Sequence, residues 1–349
     1  MRVVNRCLPI VLLVLTLLPL RAEAFIRSPA TTFASLPAGA AHPEGITVDA
    51  AGNVYVTTFA VNKLGPPPAL GELFVFHSNG ELLRHLNVAG SSPLLLDLAF
   101  HPSTGDLLVI DFGGKQVLKV NPFTGASMPF MTLPTGFVAG AGLNALTVDS
   151  AGNVYVSDSF QGKIWRTGPA GGTATAWVTH LLLTTTGVPG FGANGLAFNR
   201  SETALFVANT GNDTVVKIPV LTGLVAGTPE VFVNSVNGAD GLIIDEQDNI
   251  WVAANQADEI VVLNPSGRVI AKLGDFGGID ASGAPIGLLF PASLVFSGKF
   301  VYVTNLALDL RIFGAPTVDS QWAAQVTTHT VAKIRARIPP IPRLPESDD

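Results

Sequence analysis

Five side chains of this 349-residue chain share one chemistry and one place in a repeated phrase: Glu44 in HPEG, Asp97 in LLLDLAF, Asn144 in GLNAL, Asn194 in GANGL and Asp240 in GADGL. All are carboxylates or carboxamides, the oxygen donors that hard divalent cations prefer; Glu44 and Asp240 match a 2+ charge and Asn144 and Asn194 add neutral carbonyls. Calcium suits such a set best, with magnesium or manganese as the alternative. A cation held there can polarise a carbonyl or phosphoryl oxygen while a nearby carboxylate acts as base or nucleophile. Asp240 and Asp97 are the candidates for that second role, Asp240 while still touching the metal, Asp97 either through a water of the metal or standing free. Asn, Asp and Gly also favour tight turns, yet turn-making does not explain oxygen donors at one phase of four or five repeats. Asp49, Asp149 and Asp245 give the contrast, because each stands just before GN or DN and suits a hairpin turn.

Other chemistry is thinly represented. His42 lies two residues before Glu44 and reads as a structural histidine, and His77, His85, His101, His180 and His329 share no spacing. There is no HExxH, no GxSxG elbow and no phosphate-cradling glycine loop with Lys, which disfavours zinc-protease, serine-hydrolase, kinase and dinucleotide chemistry.

The oxygen-bearing residues gain meaning from the elements that must position them. The phrase recurs from His42, Leu94, Gly142, Gly192, Gly238 and Phe290, a period near 50 residues. The sixth copy carries Ala292 at the equivalent place. Each copy contains four runs rich in Val, Ile, Tyr, Phe and Trp, punctuated by Gly, Asn, Asp and Pro; in the fifth these are 241–244, 249–254, 259–264 and 269–273. A strand-built period of this length predicts an all-β, six-bladed β-propeller of four-stranded blades. In a propeller, equivalent positions at the starts of the innermost strands converge on the central channel, so the five residues should face one another. Trp165 and Trp251 fall within strand runs and read as blade packing. Leu310–Phe313 is expected to be a strand of the sixth unit, with ring closure by either Thr32–Leu36 or Thr328–Ile334. Two excursions, Asn62–Leu70 with three consecutive prolines and Leu181–Phe191, could cover the end where the phrase loops emerge.

Composition bounds the rest. With 48% hydrophobic and 13% charged residues the chain is globular, and 20 basic against 26 acidic residues, with no basic block, leave no footprint for nucleic acid. The single Cys, at position 7, permits no internal disulfide. Residues 1–24 read as a signal peptide, with Arg2 and Arg6 ahead of an apolar run and small residues at Ala22 and Ala24. The expected organisation is a signal at 1–24, one propeller over 25–335 and a Pro-rich tail at 336–349. The mature protein is expected to be secreted or periplasmic, a monomer without stable membrane association, acting on a small-molecule substrate.

The ordered set Glu44, Asn144, Asn194 and Asp240 resembles the calcium-dependent six-bladed propellers of the senescence marker protein-30, gluconolactonase and luciferin-regenerating family, with a more distant likeness to paraoxonases and diisopropyl fluorophosphatase. The match spans His42 to Asn305. It implies that these four residues hold a catalytic metal and that Asp240 has a base or nucleophile role. Sugar lactonases of that family place an Arg two residues before the third-unit Asn, where this chain has Gly142. Val138, Leu143, Leu182, Val188 and Phe191 make the surroundings apolar and tilt the expectation towards a hydrophobic lactone, ester or epoxide-like substrate. An exported calcium-dependent hydrolase leads; a non-catalytic propeller of the NHL type and a non-hydrolytic biosynthetic enzyme on the same site are the alternatives.

Overall fold

The computed structural model describes residues 27–61, 69–314 and 318–338. The expected signal peptide at 1–24, most of the proline-bearing excursion and most of the C-terminal tail lie outside them.

The fold is all-β, and its sheets are built from four-stranded antiparallel runs that repeat in sequence order. The first run is His42–Val48, Val54–Phe59, Glu72–Phe76 and Leu82–Asn87. The second (Leu95–Phe100 to Ser127–Thr132) and third (Leu143–Val148 to Gly171–Thr179) join into one eight-stranded sheet through a parallel contact of two pairs, Gly172 with Met131 and Thr173 with Thr132. The fourth run ends on Glu230–Asn234, and the fifth spans Ala239–Ile244 to Val269–Leu273. A two-stranded hairpin, Phe276–Ile279 with Pro285–Gly287, precedes the last run. That run is Pro291–Ser297, Phe300–Asn305 and Thr330–Arg335, completed by Ala30–Ser35 from the other end of the chain. Both candidate closing strands are therefore used. The first strand of each run packs beside that of the next, and Pro291–Ser297 returns to His42–Val48, so six inner strands surround a common axis.

Burial falls from the middle of each sheet outward. Every residue of Val54–Phe59, Leu107–Asp111 and Ile250–Ala254 is buried, because neighbouring sheets cover both faces and the apolar pattern is continuous rather than alternating. The outermost strands, such as Leu82–Asn87, are exposed or half-buried along their length. Trp165 and Trp251 are buried as expected, each ring N–H donating to an acid, Asp158 at 3.0 Å and Asp245 at 2.9 Å.

The hairpin acids do the structural work anticipated for them. Asp149 accepts from the backbone N–H of Asn153 (2.8 Å), its side-chain amide (2.7 Å) and the Tyr155 hydroxyl (3.1 Å), and Gly152 takes the positive φ that the turn requires. Asp49 and Asp245 repeat the arrangement with Asn53 and Asn249. One expectation fails: Leu310–Phe313 is a short 3-10 helix, not a strand. Asp309 caps it by accepting from the Arg311 N–H, and Gly314 in the left-handed region ends it. Among the described residues no helix is long and apolar enough to cross a membrane.

Candidate metal centre and active site

Every inner strand breaks its pairing at the same place, over the two residues that follow its first one or two pairs. In the third run Leu143 pairs with Asp158 and Leu146 with Val156, leaving Asn144 and Ala145 between the regular pairs. The same interruption brackets Glu44 and Gly45, Asn194 and Gly195, and Asp240 and Gly241. A bulge of this kind re-aims side chains, and the glycine that follows three of these residues lets adjacent inner strands approach. A Cβ on Gly45 would lie 2.4 Å from the Leu96 carbonyl oxygen, and one on Gly195 would lie 2.4 Å from that of Asp240.

The register corrects the sequence alignment at one position. In the second run Leu95 pairs with Asp111 and Leu98 with Val109, so Leu96 occupies the place of Asn144, and Asp97 stands one residue further on, in the place of Ala145. Asp97 accepts from the N–H groups of Leu98 and Leu146, both at 2.9 Å, and so ties the second run to the third.

Glu44, Asn144, Asn194 and Asp240 are all buried. Their orientation is set by residues that the sequence reading did not single out. Ser159 donates its hydroxyl proton to the Ala193 carbonyl (2.7 Å), so towards Asn144 it can only accept, and the Asn144 amide nitrogen donates to it at 3.1 Å. Thr210 treats Asn194 the same way, donating to the Ala239 carbonyl (2.8 Å) and accepting from the Asn194 amide at 2.9 Å. Asn255 donates to one oxygen of Asp240 at 3.0 Å. The available signal was a polar residue recurring 15 or 16 positions after Asn144, Asn194 and Asp240.

With the Asn144 and Asn194 nitrogens held by hydroxyls, oxygens are left over. Among the described residues Glu44 Oε2, Asn144 Oδ1 and Asp240 Oδ1 are buried with no hydrogen-bond partner, as is Asn255 Oδ1, which lies towards Gly238. A buried polar atom left unpaired costs about 1–3 kcal/mol, and several at one place form an oxygen-only donor set that fits a hard divalent cation. Among the described residues no group of three or more His, Cys, Asp or Glu forms a metal-binding cluster.

The acids carry this strain electrostatically. Burial, reinforced by the charges of Asp240 and Asp97, holds the Glu44 carboxyl well above the usual range. Burial pushes Asp240 up to about 7 despite hydrogen bonds from Asn255 and Asn194, with the charge of Asp97 adding to the rise. Burial likewise raises Asp97 to about 7 against the two backbone N–H groups that favour its anion.

Two cavities meet at the ring, and Glu44, Asn144 and Asn194 border both. One, of ≈ 420 Å³, follows the inner strands past Asp97 to a mouth with Arg200 and Glu202. The other, of ≈ 40 Å³, lies where the inner strands begin; Asp240 and Asn255 stand in it against Phe59, Leu96, Phe191 and Phe290. His42 is placed apart, its Nδ1 2.9 Å from the Leu306 carbonyl oxygen and its ring 4.7 Å from that of His329. The excursion Leu181–Phe191 does reach the small cavity, through Pro189 and Phe191.

An all-β ring of sheets with buried acids and carboxamides at the starts of its inner strands has the architecture of propeller-type proteins. The chain belongs to the SMP-30/gluconolactonase/LRE-like family, whose model matches residues 98–274. Among solved structures it is similar to a luciferin-regenerating enzyme (15% identity over 88% of this chain and 95% of that one, TM-score 0.64). It is also similar to a putative gluconolactonase (17%, 88% and 92%, TM-score 0.60) and to regucalcin, a calcium-binding protein from Agrobacterium tumefaciens str. C58 (18%, 90% and 99%, TM-score 0.59). No curated protein matches the sequence. At these identities the structural likenesses establish the fold, and a reaction must be argued from the site.

Proposed function

We propose that the protein is an exported, calcium-dependent hydrolase, a lactonase or esterase acting on a relatively apolar substrate. The observation that carries this reading is the set of unpaired buried oxygens on Glu44, Asn144 and Asp240 at the floor of an otherwise apolar cavity. On this reading the six inner strands belong to six blades: the eight-stranded sheet counts as two and the short hairpin is an insertion. The propeller occupies 25–335, follows a signal at 1–24, and works as a monomer outside the cytoplasm.

Glu44, Asn144, Asn194 and Asp240 would hold the cation, which when bound supplies a Lewis acid for the substrate carbonyl oxygen. Phe59, Leu96, Phe191 and Phe290 exclude water from the acyl portion, and the polar side of the cavity to which a carbonyl can turn is the ring with Thr210 and Asn255. Asp240 takes a proton from the attacking water as its oxygen bonds to the carbonyl carbon, and returns that proton to the alkoxide oxygen as the ester bond breaks. Asn255 keeps the other oxygen of Asp240 fixed during this exchange. Asp97, held by two backbone N–H groups, sets the local charge across the ring.

The test is metal content of the purified mature protein together with hydrolysis of a lactone and aryl-ester panel before and after chelation. Stoichiometric calcium, and turnover lost on chelation and in Glu44→Ala and Asp240→Ala, is the expected result. An intact fold without bound metal would overturn the site and leave a binding propeller.

A further inference from the structure

The small apolar cavity continues into a strip of phenylalanines that reaches solvent. From Phe59, which lines the cavity, ring centroids step to Phe112 at 5.7 Å and from Phe112 to Phe160 at 5.9 Å. Phe160 meets Phe191 at 5.3 Å, and Phe191 meets Phe313 at 5.9 Å. Phe59 is buried, whereas Phe160 and Phe313 are 46% and 43% exposed. The rings come from five separate segments of the chain, so no local preference gathers them. Contiguous exposed apolar surface of this kind is uncommon on a soluble monomer except at a binding site.

The strip is also built, not merely exposed. Asp158 accepts from the N–H groups of Phe160 (3.2 Å) and Gln161 (3.1 Å) and anchors the turn that presents the ring. Gly142, two residues before Asn144, leaves the room in which that ring lies: a Cβ there would be 2.6 Å from Phe160 Cδ2. Any side chain at position 142 would displace the phenyl, so the glycine and the phenylalanine specify each other.

Resting on the hydrolase reading above, we propose that the substrate carries its reactive carbonyl on an unbranched aliphatic chain, and that Phe112, Phe160, Phe191 and Phe313 form the subsite for that chain. Phe112, Phe160 and Phe191 form a mutual cluster, with centroids 5.9, 5.3 and 6.4 Å apart, and Phe59 on the cavity side and Phe313 on the outer side extend it into a path that suits an extended alkyl group better than a polyhydroxylated one. It offers phenyl faces and edges that reward CH2 groups by burial, with Lys115 Nζ, 4.3 Å from the Phe112 centroid, as a polar group at its side.

The test uses the calcium-loaded full protein with γ-lactones from γ-butyrolactone to γ-dodecalactone, and calorimetric binding of hexanamide and dodecanamide as a readout independent of turnover. We expect kcat/KM to rise roughly two- to fourfold per added methylene, the upper figure corresponding to complete burial. The double variant Phe160→Ala/Phe313→Ala should cut the ratio of long-chain to short-chain kcat/KM at least tenfold. Phe123→Ala, at a phenylalanine 66% exposed elsewhere on the surface, should leave that ratio unchanged. Lactone turnover without chain-length dependence, or a slope that survives in the double variant, overturns the subsite while the hydrolase reading stands. Tighter binding of dodecanamide than hexanamide, lost in the double variant, with no lactone turned over, keeps the subsite and overturns the hydrolase.

Discussion

Two sets of acids recur along this chain, and the fold treats them in opposite ways. Asp49, Asp149 and Asp245, at the hairpin turns, have their oxygens filled by N–H and O–H groups from the next few residues. For Asp49, burial pushes the pKa up, but bonds from Asn53, Tyr55 and Ala51 together outweigh it and leave the group more acidic than usual. Glu44 and Asp240, at the strand starts, are buried and keep oxygens that nothing among the described residues satisfies. An acid with its partners built in stabilises the chain; an acid without them holds a place for something else.

Exchanging single atoms separates the two sets. Asp240→Asn removes a charge and a proton acceptor in nearly the same shape, so kcat/KM should fall about 10²- to 10⁴-fold while the metal-free protein melts no lower than the parent. A large drop in the melting temperature of the metal-free variant would place Asp240 with the structural acids.

The pH dependence of stability should carry the same signature. Asp97 and Asp240 rise from an ordinary 3.8 to about 7 on folding, and Glu44 shifts in the same direction. Their contribution is fully present below the unfolded value and is lost as pH rises through about 7, because the unfolded chain ionises first. Thermal unfolding of chelated protein should therefore show stability falling by a few kcal/mol between about pH 4 and pH 8. Calcium should reverse the loss at the upper end, since it binds the ionised acids; a chelated protein whose stability is flat across this range contradicts the assignment.

At the turns the effect is one of stability. Asp149→Ala deletes bonds to Asn153 and Tyr155 and should cost about 3 kcal/mol by denaturant titration. Calcium affinity per folded molecule should not change. The smallest effect tests the layer behind the ring: Ser159→Ala frees the Asn144 amide to turn its nitrogen inward, and calcium affinity by calorimetry should drop about tenfold. Unaltered affinity would mean that packing alone orients the amide.

What could be read in advance follows the range of the interaction. The turn acids were legible because donor and acceptor lie within six residues of each other. Glu44, Asn194 and Asp240 were legible because the glycine after each marks the close approach of inner strands. In LLLDLAF no glycine marks the register, and only the pairing of Leu95 with Asp111 shows that Leu96 takes the ring place and Asp97 the next. Ser159, Thr210 and Asn255 act across a strand pair, which periodicity within one strand does not reveal. The phenylalanine strip draws on five segments that meet only in the closed ring. Around Leu310 the apolar run resembled a strand, but Asp309 and Gly314 cap a 3-10 turn instead.

The seam between Ala30–Ser35 and Thr330–Arg335 sets an order of events in time. Among the described strands the first in sequence pairs with the last, so its neighbour is absent until nearly the whole chain is available. Until then the nascent sheets keep open edges, the surfaces most prone to pair with another copy. That seam cannot form before Thr330–Arg335 is present, and a chain cut short before Thr330 would have every ring residue without it.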